Sequence, residues 1–279
     1  MKVVIYEQRS HIRSRVICDA MHNGISKCGD FVVRCYEDEY KRIGDEWAVF
    51  YGLDGNLKRI LEEYSAVGRA VYVDLGYWGR LTGGKLAGYH KISLNGRHPN
   101  SYYRRSYPAD RFREQHIKIE PWRKDGKHIV LAGMGNKAAA VEGLATEAWE
   151  RGMIDMIRAV TNRPIIYRPK PSWKQAMPIH GVDYAPPPVP IENVLKNAWA
   201  VVTHHSNVAV DAILAGIPAF CWKGVGRDMS LQDLRRLENP WMPEGREQWA
   251  ADIAYTQWSV PEITQGLPWT HFKREGLVR

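Results

Sequence analysis

The stretch of sequence that most constrains the fold covers residues 198–220, AWAVVTHHSNVAVDAILAGIPAF. Its apolar start, 198–202, is typical of a strand that is buried on both faces. The polar residues 203–207 suit the start of a helix, residues 208–214 have helical apolar spacing, and Gly216 is a stop signal. A strand that ends in a polar loop and leads into a helix is where open α/β sheets bind ligands, and a helix start attracts anions such as phosphate. The stretch therefore predicts an α/β domain with an anion site.

The length and composition predict a soluble globular protein with one large domain or two domains of ordinary size. The 279 residues are 44% hydrophobic and 25% charged, and the formal net charge is +8. The positive charge is compatible with a polyanionic partner such as nucleic acid or an acidic glycan, and equally with a mildly basic protein that has a basic nucleotide cleft. No apolar run is long enough for a membrane span. The N-terminus turns polar after five residues, which predicts a first strand and not a secretory signal.

The cysteines indicate the redox compartment. Cys18, Cys28, Cys35 and Cys221 include no CxxC pair, and three of the four lie far from the last. This spacing favours free thiols in a reducing compartment over a disulfide framework or a zinc site. We therefore expect a cytoplasmic protein, or one in the host cytoplasm if the source is viral.

Strands and helices alternate along the chain, which predicts parallel βαβ units and an α/β fold. Strands are predicted at 2–7, 30–36, 47–51, 69–75, 89–94, 128–132, 164–168, 198–202 and 219–222. Helices are predicted at 12–21, 57–64, 146–160, 191–197, 208–214, 247–258 and 261–265. The polar, aromatic and basic segment 95–121 interrupts the rhythm and is typical of a linker or an active-site loop. The prediction is two Rossmann-like domains facing across a cleft.

The C-terminal half resembles the donor-binding domain of GT-B glycosyltransferases. The motifs that carry the resemblance are IVLAGMG, a long helix, RPIIYRPKP and then PIENVLKNAWAVVTHHSNVAVDAILAGIPAF, in that order. They are most similar to the branch that builds capsular and surface polysaccharides, whose Arg-Pro-His-Pro-like element is here Arg168-Pro169-Lys170-Pro171, with lysine in place of histidine. The resemblance covers roughly residues 126 to 265, and the N-terminal half matches only in general rhythm. It implies an acceptor domain at 1–122, a nucleotide-sugar donor domain at 123–260 and a segment at 261–279 that crosses back.

The resemblance also implies donor contacts. The donor is expected to be a UDP-sugar, and its diphosphate would lie at Ser206 and Asn207. The alternative is that these two residues only cap the helix. Asp211 stands where the family often has a glutamate that binds the donor ribose, and its side chain is one methylene group shorter. The alternative for Asp211 is a solvated helix position.

Other donor contacts are predicted from the residues themselves. Adjacent His204 and His205 cannot both point at one ligand from a strand, so one is expected to contact phosphate or sugar or to make a structural hydrogen bond. Further metal ligands at suitable spacing are not evident in the sequence, and no obligatory metal is expected.

Four further residues belong to the predicted donor site, namely Arg168, Lys170, Gly133 and Gly135. Arg168 and Lys170 share one face of a strand end, where they could neutralise a leaving diphosphate or be surface charges. Gly133-Met134-Gly135 forms a Gly-x-Gly turn after a strand, and the resemblance implies that this turn is the glycine-rich loop that the family places against the donor or acceptor.

A transferase also needs a base that accepts the proton of the acceptor hydroxyl. Asp74 is the first candidate because it ends an apolar strand before the loop Gly76-Tyr77-Trp78-Gly79, although a cap or turn role is equally open. Tyr77 and Trp78 would then contact the acceptor. His98 is the second candidate for the base, and Glu7 or Asp19 is a further alternative.

The acceptor separates the remaining hypotheses. Tyr102, Tyr103, Arg104 and Arg105, followed by Arg111 and Arg113, alternate aromatic and basic side chains that suit stacking on bases and neutralising phosphates. Compact GT-B enzymes of bacterial viruses that glycosylate hydroxymethylated pyrimidines in DNA have this character, so duplex DNA with a flipped base is the favoured acceptor. A cell-surface glycan or lipid-linked acceptor is the alternative. A non-catalytic protein that binds nucleotide or nucleic acid is another, and the oligomeric state is open.

Overall fold

The computed structural model describes residues 1–84 and 86–279. The chain divides into two compact units: unit 1 is Met1–His116 with Gln248–Arg279, and unit 2 is Ile117–Glu247. The division made from the sequence, at 122/123 and 260/261, differs from these units and stays a prediction.

The described residues form an α/β protein, as the sequence predicts. The strands are β1 (Lys2–Glu7), β2 (Phe31–Tyr36), β3 (Trp47–Tyr51), β4 (Ala70–Leu75), β5 (Tyr89–Leu94), β6 (His128–Ala132), β7 (Ile165–Arg168), β8 (Asp183–Tyr184), β9 (Ala198–Thr203), β10 (Ala219–Cys221) and β11 (Gln257–Ser259). The helices are α1 (Ile12–Lys27), α2 (Leu57–Ala66), α3 (Asp110–Glu114), α4 (Asn136–Val141), α5 (Ala148–Arg158), α6 (Ile191–Leu195), α7 (Val208–Leu214), α8 (Arg246–Ala254), α9 (Val260–Gln265) and α10 (Leu267–Arg274).

Unit 1 contains a six-stranded sheet in the order β11-β5-β4-β3-β1-β2. Strands β1 to β4 are parallel, but β5 is antiparallel to β4 and β11 is antiparallel to β5. The prediction of parallel strands is therefore wrong for β5. The physical reason is that the described residues between β4 and β5 form turns and bends, whereas a parallel pair needs a crossover connection that is usually a helix.

The core of unit 1 follows the alternation of side chains along β1. Val3 and Ile5 pack on one face with residues of α1, α9 and α10, and Val4 and Tyr6 pack on the other with α2. Helices therefore cover both faces of the sheet, which explains why its parallel strands have continuous apolar sequences.

The C-terminal residues of unit 1 differ from the prediction. The helix expected over 247–258 ends at Ala254, and Gln257–Ser259 forms the edge strand β11 beside β5. Gln257 and Trp258 are buried, and the indole of Trp258 belongs to the same core as Val3 and Ile5. Pairing at the sheet edge therefore decides the structure of this segment, and the sequence contains no local signal for it. Helix α10 was not predicted either.

Unit 2 contains a five-stranded parallel sheet in the order β10-β9-β6-β7-β8. The chain runs from β6 to β7 and β8 on one side and then crosses to β9 and β10 on the other. Ile129 and Leu131 of β6 face α5, and Val130 faces α6 and α7, so both faces are covered. The strand order therefore reverses between β6 and β9, which is where doubly wound sheets bind ligands at the carboxyl ends of their strands.

Two further expectations from the sequence concern the cysteines and membrane-spanning segments. All four cysteines are free, as their spacing predicts. Among residues 1–84 and 86–279, no helix is both long and apolar enough to cross a membrane.

Candidate functional site

The two strands that flank the reversal point in unit 2 are joined by a side chain. The Thr203 hydroxyl at the end of β9 donates to the carbonyl oxygen of Ala132 at the end of β6, at 2.8 Å. The same hydroxyl oxygen accepts from the N–H of Ser206 at 3.4 Å, at the outer limit of a hydrogen bond. Thr203 is 1% exposed, so these contacts hold the loop after β9 against the loop after β6.

The loop after β6 is held by a buried carboxylate. Glu150 of α5 is 1% exposed, and its Oε1 accepts from the N–H of Met134 at 2.9 Å. The N–H of Gly133 donates to the carbonyl of Arg168 at 2.9 Å. A Cβ on Gly133 would lie 2.9 Å from both Glu150 Oε1 and Tyr167 Cε2, so only glycine fits between them. Gly133 therefore permits close packing of the loop, and the role in phosphate binding stays a prediction.

Gly135 is required for a different reason. Its φ of 75° is in the region that glycine adopts without strain. A Cβ there would lie 3.4 Å from the Cβ of Lys170, so the loop after β6 passes directly beside the segment after β7. The structure therefore brings Gly135 and Lys170 together, as the predicted donor site requires.

Arg168 is buried and anchors a loop. Its guanidinium donates to the carbonyl oxygens of Ala185 at 3.2 Å, Pro187 at 2.8 Å and Pro186. The side chain has no ion-pair partner among the described residues, and burial lowers the pKa of the guanidinium. The predicted surface-charge alternative is therefore wrong for Arg168. The N–H groups of its guanidinium are occupied by these three carbonyl oxygens. Its positive charge nevertheless contributes to the electrostatic potential around the neighbouring loops.

Lys170 contrasts with Arg168, although it lies only two residues beyond this last residue of β7. Its side chain is exposed, and its ammonium makes no hydrogen bond or ion pair with residues in the described part of the chain. A lysine next to a glycine loop at the carboxyl edge of a parallel sheet is well placed to bind an anion.

His204 and His205 contact each other. Their Nδ1 atoms are 2.8 Å apart, so one ring donates to the other, and the rings are perpendicular with centroids 5.1 Å apart. Glu142, just beyond α4, offers a carboxylate oxygen within 4.8 Å of a nitrogen of each histidine. The sequence did not identify this carboxylate as a neighbour, because 62 positions separate it from His204 and only the β6–β9 pairing brings the two loops together.

Ser206 and Asn207 directly precede α7, and Asn207 is the cap residue at its N-terminus, where the sequence predicts a helix start. The Ser206 hydroxyl accepts from the N–H of Val208 at 3.3 Å, which is a local cap interaction. Both residues and Asp211, in the first turn of α7, are half-buried. Their contacts with a donor stay predictions.

Three residues of this site were not predicted as functional, namely Thr203, Glu142 and Glu150. Thr203 could have been found, since a hydroxyl residue at the end of a buried strand is a frequent anchor for the following loop. For Glu150 the only signal is a carboxylate on the apolar side of α5, where burial demands a partner.

The candidate base in unit 1 lies at the end of β4. Asp74 accepts from the Tyr72 hydroxyl at 3.0 Å through Oδ2 and from the N–H of Leu75 at 2.8 Å through Oδ1. Lys91 of β5 lies 4.0 Å from Oδ2, and the Asp74 side chain is 38% exposed. Burial, and secondarily Asp74, raises the pKa of the Tyr72 hydroxyl, so that group remains a donor. Asp74 is thus an oriented, accessible carboxylate, and its catalytic role stays a prediction.

The other candidates for the base are placed differently. His98 is half-buried and follows the end of β5, whose antiparallel register puts Leu94 beside Val71 and His90 beside Leu75. The chain therefore reaches His98 from one end of the β4–β5 pair, whereas Asp74 lies at the other end. Glu7 and Asp19 both pair with the guanidinium of Arg34, which gives these two carboxylates a structural role.

The predicted acceptor contacts Tyr77 and Trp78 are buried. They are 1% and 5% exposed, and the N–H of Tyr77 donates to Gln257 Oε1 at 2.7 Å. The indole N–H of Trp78 donates to Gln115 Oε1 at 2.6 Å. The exposed ring faces that acceptor stacking requires are therefore absent at both positions.

The aromatic and basic segment is largely part of the structure of unit 1. Tyr103 is 1% exposed, and the hydroxyl of buried Tyr102 donates to the carbonyl of Ile92. Arg105 pairs with Glu275 at 3.7 Å, and Arg111 pairs with Glu262 at 2.7 Å while lying over the ring of Trp258.

Arg104 and Arg113 are exposed. Arg105 is exposed as well, so the segment keeps exposed charges but lacks the exposed rings from which a DNA-binding surface was predicted.

Comparison with known proteins identifies the fold. No protein-family model matches the chain, and no curated protein matches its sequence. A solved structure of Thermosulfurimonas dismutans KpsC, beta Kdo 2,7 transferase, is similar with a TM-score of 0.58 and 14% identity, over 97% of this chain and 100% of that one. The beta Kdo 2,4 transferase of the same KpsC is similar with a TM-score of 0.53 and 13% identity, over 96% and 98%. This protein therefore shares the overall fold of two glycosyltransferase structures along nearly its whole length.

Proposed function

We propose that this protein is a glycosyltransferase that moves a sugar from a nucleotide-sugar to a hydroxyl of a cell-surface glycan or lipid-linked acceptor. The observation that carries the proposal is the strand reversal in unit 2. There the Thr203–Ala132 hydrogen bond joins the loops that contain Gly133, Gly135, His204 and Ser206. Ligands of doubly wound sheets bind at such a point.

The charges around this point suit the phosphate of a nucleotide-sugar. Lys170 supplies an exposed ammonium beside Gly135, and Arg168 adds a buried positive charge that no carboxylate of the described residues neutralises. When the bond to the sugar breaks, negative charge develops on the leaving phosphate. Fixed positive charges stabilise that change more than they stabilise the bound donor, which is how they accelerate the reaction.

In this proposal Lys170 contacts the phosphate directly, together with Ser206 and Asn207, and Asp211 contacts the ribose. Arg168 acts through the field and by holding the carbonyls of residues 185–187. UDP remains one candidate nucleotide among several, because none of the contacts above distinguishes one base from another.

The proposed base is Asp74 of unit 1. Tyr72 and the N–H of Leu75 orient its carboxylate, and the group is exposed enough to meet a hydroxyl. It would accept the proton of the acceptor hydroxyl as that oxygen attacks the anomeric carbon.

A glycan acceptor is better supported than DNA. Both similar structures are named as transferases of the sugar Kdo, in 2,7 and 2,4 linkages. Within unit 1, Tyr102 and Tyr103 are buried, so their rings are not available for the base stacking on which the DNA prediction depended.

The proposal is tested in two stages. Thermal shift with UMP, UDP, CMP, CDP, GDP and ADP should reveal at least one nucleotide that raises the melting temperature, since a ligand of the folded state stabilises it by mass action. The matching labelled nucleotide-sugars are then incubated with oligosaccharides, lipid-linked glycans, hydroxymethylated DNA and plain DNA. Label in glycan alone is the expected result. Label in hydroxymethylated DNA alone would overturn the acceptor, and the absence of nucleotide binding would overturn the transferase.

A further inference from the structure

Two imidazoles and a carboxylate gather beyond the carboxyl end of β9. Glu142, His204 and His205 each offer one ligand atom, and these atoms all lie within 4.8 Å of one another. All three residues are half-buried and belong to two separate loops of unit 2. They form a mixed nitrogen and oxygen donor set of the kind that divalent transition metals prefer.

The backbone under this cluster is fixed. The carbonyl oxygen of His204 accepts from the N–H groups of Trp222 at 3.1 Å and Lys223 at 2.8 Å. The ring of Trp149 meets His204 edge-on at 5.9 Å and Trp222 at 6.0 Å. These contacts hold one imidazole against an apolar wall, which limits the entropy lost when a ligand binds and lowers the local dielectric constant.

The two histidines already share one proton between their Nδ1 atoms, which are 2.8 Å apart. A metal ion held by both atoms would take the place of that proton, and the donor ring would stay neutral by carrying its proton on Nε2 instead. With zinc–nitrogen bonds of about 2.0–2.1 Å and tetrahedral angles, the two nitrogens would lie about 3.3–3.4 Å apart. The required movement is therefore about half an ångström, which is small for side chains that are half-buried.

The carboxylate of Glu142 already pairs with a positively charged group. Its Oε2 pairs with the ammonium of Lys223, and the two side chains are 11% and 49% exposed. A metal ion would take a carboxylate oxygen in place of the ammonium or beside it. The exposed Lys223 side chain can swing away at low cost.

We propose that Glu142, His204 and His205 bind one divalent transition-metal ion, with zinc the best match. Two histidines and one glutamate form a known zinc ligand set that leaves a fourth position for water or substrate. His204 and His205 lie in the loop that also contains Ser206 and Asn207. If the proposed donor binds there, a phosphate oxygen can take the fourth position; this last step rests on the proposed function.

Calorimetric titration of the whole chain with zinc chloride, without nucleotide, tests the site. One ion should bind per chain, and Glu142→Gln and His205→Ala should each weaken binding by about tenfold or more. His180→Ala is the matched control, because His180 is exposed in the same unit and should leave the affinity unchanged. Circular dichroism establishes that each variant is folded.

Lys223→Met provides a test in the opposite direction. Removing the competing ammonium should tighten zinc binding several-fold, an outcome that no general damage to the fold produces. The cobalt-loaded protein should show the visible absorption of a four-coordinate ion, and Glu142→Gln should change it.

Failure of the wild type to bind zinc saturably, or equal affinity in Glu142→Gln and His180→Ala, would overturn the site. Because the titration uses no nucleotide, its outcome does not depend on whether the chain is a transferase. Repeating the nucleotide thermal shift with and without zinc then measures whether the two ligands bind together.

Discussion

The Thr203 hydroxyl donates to the carbonyl oxygen of Ala132 at 2.8 Å and thereby joins the ends of β9 and β6, the two strands between which the strand order of unit 2 reverses. The loop after β9 contains Ser206 and Asn207, which are proposed to contact the phosphate, and the loop after β6 contains Gly135, which lies beside Lys170. This single contact therefore couples the geometry of the site to the stability of the sheet.

Thr203→Val should destabilise the protein by about 1–3 kcal/mol, because the buried carbonyl of Ala132 loses its side-chain donor. It should also weaken nucleotide binding, since the loop after β9 is no longer held against the loop after β6. Urea unfolding and calorimetry measure the two effects. Thr203→Ser keeps the hydroxyl and should retain most of the nucleotide affinity; equal loss in both variants would contradict the role of the hydrogen bond.

Gly133→Ala should destabilise the protein by about 1–3 kcal/mol, because the added methyl group overpacks against Glu150 and Tyr167. Gly152→Ala is the matched control in the neighbouring helix α5, where a Cβ would meet nothing within 4 Å. That variant should stabilise by about 0.5–1 kcal/mol through helix propensity. Equal unfolding midpoints for the two alanine variants would show that the loop can move aside.

Lys170→Met should leave stability nearly unchanged, because the side chain is exposed and has no partner among the described residues. It should weaken nucleotide binding about tenfold, or ~1.4 kcal/mol, if the ammonium contacts phosphate. The loss should shrink as salt increases. Lys174→Met, at another exposed lysine of unit 2, controls for the change in net charge. The phosphate contact is excluded if both variants bind equally well.

Asp74→Asn should abolish transfer while leaving nucleotide affinity unchanged, because an amide cannot accept the acceptor's proton at neutral pH. Asp45→Asn, whose side chain is fully exposed in the same unit, should transfer at the wild-type rate. Transfer rates with labelled donor and calorimetry with nucleotide separate the two effects. If Asp74→Asn remains active, the base is another residue, and His98→Gln is the next variant to measure.

Acid should destabilise unit 1 through His90, which is 0% exposed. Burial is the main cause that lowers the pKa of His90 to about 4, and its Nδ1 lies 2.8 Å from the carbonyl of Gly88. In the unfolded chain the pKa of histidine is about 6.5, so the unfolded state binds more protons between pH 6.5 and 4.

Stability should therefore fall with decreasing pH in that window, by about 1.4 kcal/mol per pH unit for this group. Urea unfolding at pH 7, 6 and 5 should show a smaller pH dependence for His90→Gln than for the wild type. The exposed His180→Gln should match the wild type. An unchanged slope in His90→Gln would mean that His90 is not neutral in the folded state.

Local sequence patterns predicted most elements because the parallel strands and their covering helices carry strong periodic signals. The bounds of β1, β3, β5, β6 and α7 agree with the prediction to the residue. Strand β11 was missed because Gln257–Ser259 has no strand signal of its own and depends on an edge of β5 that is distant in sequence.

The candidate site shows the same division. The glycines at 133 and 135 and the polar residues 203–207 follow buried strands, and this pattern can be recognised from the sequence alone. The sequence does not reveal that Arg168 points into a proline-rich loop or that Tyr103 is buried, since both depend on which segments pack around them.

By itself, the sequence determined the α/β class and the strand-loop-helix unit at 198–220, because hydrophobic periodicity and helix stop signals act over a few residues. Only the tertiary structure decided that β9 lies beside β6, and hence that Thr203 meets Ala132 and that Glu142 meets His204 and His205. Strand order is a property of long-range pairing, whose free energy depends on the whole core and not on any local pattern.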